Sequence, residues 1–116
     1  MVGLLDTYQA RIEAINAARQ AVKEAREQGL ALAKAKRELR SVECKTIISL
    51  KAEGMSATAI SNALKSQPEV ADAQFAVDCA EVLYKAASEE VNVNKLDARL
   101  LEADIAREWS QEGRGL

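Results

Sequence analysis

Two thiols, Cys44 and Cys79, sixteen Lys/Arg and eighteen Asp/Glu carry most of the reactive chemistry of this 116-residue chain. No histidine accompanies them. Without imidazole, the Ser-His-Asp and Cys-His nucleophile systems and histidine metal sites are all out of reach. Two cysteines so far apart in sequence do not make a zinc site either. They read as small buried thiols of a reducing cytosol. Each lies at a similar sequence distance from a central corner, so the two could face each other across a hairpin, although the free thiol is the expectation. The carboxylates, the adjacent Glu89 and Glu90 among them, alternate with Lys, Arg and Gln as a solvated helical face does. No glycine-rich loop offers a phosphate cradle. The expectation is a non-enzymatic protein with no cofactor and no metal.

One cluster keeps a binding role open. "KAKRELRSVECK", Lys34 to Lys45, follows Arg19, Lys23 and Arg26. On a helical wheel Arg19, Lys23, Arg26, Lys34, Arg37 and Lys51 share one broad face, and Arg40 extends the run. Such a line can track phosphates without reading bases. Against that, Glu24, Glu27, Glu38 and Glu43 partly neutralise it, and no aromatic residue is interleaved to stack on bases. The net charge of −2 gives no global basic field. The outer face of a long helix is the stronger reading, with nucleic acid the alternative.

"KAEGMSATAISNALKSQPEVA", residues 51–71, is where a helix-turn-helix would have to sit. Ser56 to Leu64 resembles a first helix, but the turn position that favours glycine holds Lys65. The would-be recognition helix carries Glu69, Asp72, Asp78 and Glu81 and no cation. Carboxylates facing a polyanion defeat the electrostatics of DNA binding. A corner between two helices is the better reading.

The elements that position these residues follow from composition. Alanine is the most frequent residue, aromatics are 3%, and there are one proline and five glycines. That is helix-forming material with few turns. A first long helix is predicted over about 6–53, with Asp6 as N-cap and Gly54 as C-cap. Its apolar stripe reads Leu5, Tyr8, Ile12, Ile15, Ala18, Val22, Ala25, Gly29, Leu32, Ala35, Leu39, Val42, and it turns by about a hundred degrees between Ile15 and Val22. This implies a bend or a change of neighbour, with Gly29 as the weak point. A short helix follows over about 56–65, capped by Ser56. Ser66-Gln67-Pro68-Glu69 then starts a second long helix over about 67–109, with Ser66 as N-cap and Glu69 at the third helical position. Residues 110–116 read as a flexible tail.

The second helix carries a coiled-coil seam: Val70, Ala73, Val77, Ala80, Tyr84, Ala87, Val91, Asn94, Ala98, Leu101 and Ile105, at alternating three- and four-residue steps. Asn94 is its polar interruption, the kind that sets register or partner number. Before Gly54 there are ten Lys/Arg against seven Asp/Glu, and from Gly54 onward six against eleven. An antiparallel pairing of a basic helix with an acidic one follows. The predicted architecture is a single all-α domain over 1–109, a long antiparallel helical hairpin with a short helix at the corner.

Two stretches, "CKTIISLKAEGMSATAISNAL" and "VLYKAASEEVNVNKLDARLLEADIAREW", resemble small all-helical proteins carried by bacteriophages and prophages. The shared features are a Leu-Lys-x-x-Gly corner (Leu50, Lys51, Gly54), a Tyr-Lys pair (Tyr84, Lys85) and a late Arg-Glu-Trp (Arg107, Glu108, Trp109). The resemblance implies a phage or prophage origin and no particular activity, although some members are similar to genes near phage recombination or replication functions.

Trp109, Leu96, Leu100, Val82 and Leu83 fall off the seam. A thin two-helix core leaves them wet, so a homo-oligomer is expected, with any other protein partner unidentified. No apolar run approaches a membrane span, and Met1 to Asp6 lacks the basic start of a signal peptide. The expected protein is a cytoplasmic, oligomerising scaffold or adaptor.

Overall fold

A computed structural model describes residues 3–114. The protein is all-α among these residues, with two long helices packed antiparallel and a short helix between them. Helix α1 spans Leu4–Ala52, α2 spans Ala57–Ala63, a single 3₁₀ turn covers Leu64–Ser66, and α3 spans Pro68–Arg114. Helix α3 therefore runs through Trp109 and on to Arg114, past the point where the flexible tail is expected to begin. The last two residues of that expected tail, and the first two residues of the chain, lie outside the described residues.

The chain divides into two compact units. The corner unit is the contiguous segment Glu27–Lys85. The terminal unit joins Met1–Arg26 to Ala86–Leu116. Each is built from facing stretches of α1 and α3.

In the terminal unit, rising numbers on α1 meet falling numbers on α3. Thr7, which is buried, shares its hydroxyl proton between the Gly3 carbonyl (3.1 Å) and Glu108 Oε2 (3.2 Å). Arg11 Nη2 lies 3.8 Å from Glu102 Oε1. Both partners of that ion pair are more than half exposed, so it contributes no more than about 1 kcal/mol. The apolar contact dominates, and it keeps only Ala18 and Ala25 of the stripe expected in this half of the helix. The inward positions of α1 are Thr7, Ala10, Ala14, Ala18, Ala21 and Ala25, whereas Leu5, Tyr8, Ile12, Ile15 and Val22 are 38% to 78% exposed. The stripe does not swing to another neighbour between Ile15 and Val22, and α1 is unbroken there. Two stripes run side by side, and the alanine one faces α3. Small side chains let backbones approach more closely, since the separation of packed helices depends on the residues at the contact.

In the corner unit the inward face of α1 keeps the expected Leu32, Ala35, Leu39 and Val42, all half-buried. The most enclosed side chains are Leu50, Ile60, Val70 and Val77. The corner itself is a glycine-terminated helix end. The Met55 amide donates to the Leu50 carbonyl (3.2 Å) and the Gly54 amide to that of Lys51 (3.0 Å), with Gly54 at φ 88°. This is the Schellman arrangement, which satisfies carbonyls that the ending helix leaves over. Ser56 Oγ then accepts from the Ala59 amide (3.2 Å) and starts α2.

The entry to α3 corrects the expected cap. Gln67, not Ser66, takes the extended N-cap conformation (ψ 132°), and its carbonyl accepts from the Ala71 amide (2.9 Å). Pro68 is the first helical residue and forces its predecessor out of the helical region. Ser66 instead donates its hydroxyl back to the Ala63 carbonyl (2.8 Å).

Glycines 54 and 29 predict opposite outcomes for one substitution. A methyl group at Gly54 meets nothing within 4 Å, so Gly54→Ala suffers only the backbone penalty, about 1–2 kcal/mol. At Gly29, inside α1, a methyl group would sit 3.8 Å from Tyr84 Cε1, an ordinary contact. Gly29→Ala is expected to gain up to about 1 kcal/mol in helix propensity. Thermal unfolding followed by circular dichroism should move down for the first and up for the second.

Candidate interaction surface

On α3 the structure turns the seam inward. Val70, Val77 and Ala87 are buried, while Ala73, Ala80, Val91, Asn94, Ala98, Leu101 and Ile105 are half-buried. Tyr84 is the most open member at 36% exposure, with its ring edge over Gly29. Within the seam, Asn94 Nδ2 donates to the Glu90 carbonyl (2.8 Å) and to Glu90 Oε1 (3.2 Å), both on its own helix. Asn94→Leu therefore adds apolar area at a half-buried seam position without breaking a bond to α1. A gain of about 1 kcal/mol is expected, or several degrees in melting temperature. A lower melting temperature would show that the amide is needed in the seam.

Cys44 and Cys79 are free and exposed. The expectation of buried thiols is corrected. Cys79 falls between the inward positions Val77 and Ala80, and Cys44 between Val42 and Thr46, so both project away from the contact. No group of three or more His, Cys, Asp or Glu among the described residues is placed to hold a metal ion. No helix among them is long and apolar enough to cross a membrane.

What the surface does offer is a groove in the terminal unit. Ile15, Ala18, Val22, Val91 and Ala98 form an apolar floor, and Arg19, Lys23, Arg26 and Lys95 stand along it. Its volume is about 390 Å³, at the low end for ligand pockets, and it is open along its length. That form suits the side chains of a docking helix better than an enclosed small molecule. No carboxylate lines it. The other side of this helix pair is different, with Ala17, Gln20, Ala21, Glu24, Glu90 and Asn94 lining a groove that holds two carboxylates and no cation.

The seven basic residues picked out in the sequence, Lys51 among them, are all exposed. The structure brings Arg19, Lys23 and Arg26 together at the groove, while Lys34, Arg37, Arg40 and Lys51 belong to the corner unit. Lys95 is the member that sequence reasoning missed. Its position one residue past Asn94, between Val91 and Ala98, places it at the edge of the seam, and that spacing was the available signal.

Outward-facing apolar residues complete the surface. In the terminal unit α3 exposes Val93, Leu96, Leu100 and Trp109; in the corner unit it exposes Phe75, Val82 and Leu83. Fold and surface together define an all-helical antiparallel hairpin with apolar side chains on its outside. No family model, no curated protein and no solved structure matches the chain.

Proposed function

We propose that the protein is a non-enzymatic, self-associating helical scaffold or adaptor of the host cytosol, encoded by a phage or prophage. The observation that carries self-association is the exposure of Leu5, Tyr8, Ile12, Ile15 and Val22 beside a seam made of alanines. Large apolar side chains at helical spacing, left outside the contact, support a partner of the same geometry. The phage origin rests on the resemblance of the two segments around Gly54 and Tyr84. Light scattering tests the reading: a mass of at least twice the 12.6 kDa chain is expected. A monomer at every concentration would sink it.

A second reading is favoured by the absence of carboxylates among the residues lining the groove. There the cations hold a single or double strand by its phosphates, as an accessory protein of phage recombination or replication would. A labelled oligonucleotide should then bind with steep salt dependence, weakened by Arg19→Ala, Lys23→Ala and Arg26→Ala. Absence of binding at low salt removes this reading.

A further inference from the structure

We infer that the groove of the terminal unit receives the outer face of α3 from a second copy of the chain. The inference rests on the self-association reading and specifies its surfaces.

The receiving side has an apolar floor centred on Ile15 and Val22 and a rim of Arg19, Lys23, Arg26 and Lys95. Its walls are stretches of two antiparallel helices, so a third helix laid along them meets ridges and grooves of its own kind. The required occupant is a helix with an apolar stripe that has carboxylates along one edge. Helix α3 carries one, with Arg99 on the opposite edge. Val93, Leu96 and Leu100 are 51% to 57% exposed and stand at three- and four-residue steps, on the side away from the seam. Glu89, Glu90 and Asp97 border them, and all three are exposed. Asn94 Nδ2 engages Glu90 Oε1 and leaves the other carboxylate oxygen for a cation.

The charges also match in length. Arg19 to Arg26 and Glu90 to Asp97 each span seven residues, about 10 Å along a helix. Pairing groove with groove would instead bring two sets of cations together, an arrangement that like-charge repulsion disfavours. The contact is therefore between unlike surfaces, groove on one copy and α3 on the next. Such a contact leaves one groove and one α3 face open at the ends, so copies add until a ring closes or a filament grows.

The test uses the whole chain and three samples. The wild type is expected to exceed 12.6 kDa by light scattering, with mass rising with concentration and falling with salt. The triple variant Arg19→Glu, Lys23→Glu, Arg26→Glu and the triple variant Glu89→Lys, Glu90→Lys, Asp97→Lys should each drop to the monomer. Mixing the two in equal amounts should restore assembly, because acidic α3 then meets basic groove, and basic α3 meets acidic groove. A monomeric wild type overturns this inference and self-association together. An assembled wild type whose mass neither triple variant reduces overturns the inference alone, as does a mixture that stays monomeric. If a triple variant loses its helical circular dichroism, the corresponding Gln replacements are used. Unchanged mass in both Gln variants then overturns the pairing, and reduced mass in each supports it.

Discussion

Leu50→Ala is expected to lower the unfolding free energy by about 2–4 kcal/mol. Leu50 is 7% exposed and sits in the last turn of α1. Its own carbonyl receives the Met55 amide that closes the Schellman end. Shortening the side chain therefore loosens apolar packing at the place where the chain leaves α1. Buried apolar residues are few, and no large side chain among the described residues is completely enclosed. A packed small domain has about 5–15 kcal/mol of stability in total, so the loss is a large share. Ile48→Ala is the control. Ile48 is 68% exposed, two residues away on the same helix, and surface changes of this kind stay within about 0.5 kcal/mol. Urea titrations followed at the helical circular dichroism band should separate the two variants. Equal effects would show that Leu50 is not part of the core.

Val77→Asp is expected to have the larger effect, about 3–5 kcal/mol or complete unfolding. A carboxylate at a buried position must either keep its charge without a partner or take up a proton at a cost. Val77 is 4% exposed and occupies the middle of the corner-unit seam. Val82→Asp makes the same chemical change on the exposed side of the same helix and should leave the helical signal intact. Both variants need measurement at several protein concentrations, because association adds to apparent stability by mass action. If Val77→Asp unfolds no more easily than Val82→Asp, the seam assignment is wrong.

The α3 seam was legible because its larger members, Val70, Val77, Val91, Leu101 and Ile105, recur among alanines with little competition on that face. Helix α1 misled in its first half. Tyr8, Ile12, Ile15 and Val22 form the more hydrophobic stripe, and hydrophobicity alone selects it. Close approach of the backbones keeps Ala18 and Ala25 of the expected stripe and adds Ala14 and Ala21 from outside it, and that preference depends on what lies opposite. The N-cap of α3 failed for a related reason. Serine outranks glutamine as a capping residue, but Pro68 decides the position and leaves Gln67 the place. The groove was half legible: Arg19, Lys23 and Arg26 stood out as a basic line, whereas Lys95 is 69 residues beyond Arg26 and joins them only through the antiparallel pairing.

Contiguity separates the two compact units in time. Residues 27–85 can come together through loops that the turn at Gly54 shortens, whereas Thr7 and Glu108 are 101 positions apart when they bond. Loop closure becomes costlier as the intervening chain lengthens, and non-local pairings slow folding. Collapse should begin around α2 and zip outward towards both termini. Pulse-labelled amide exchange during refolding would then show protection at Leu39 and Val77 before Ala14 and Leu101.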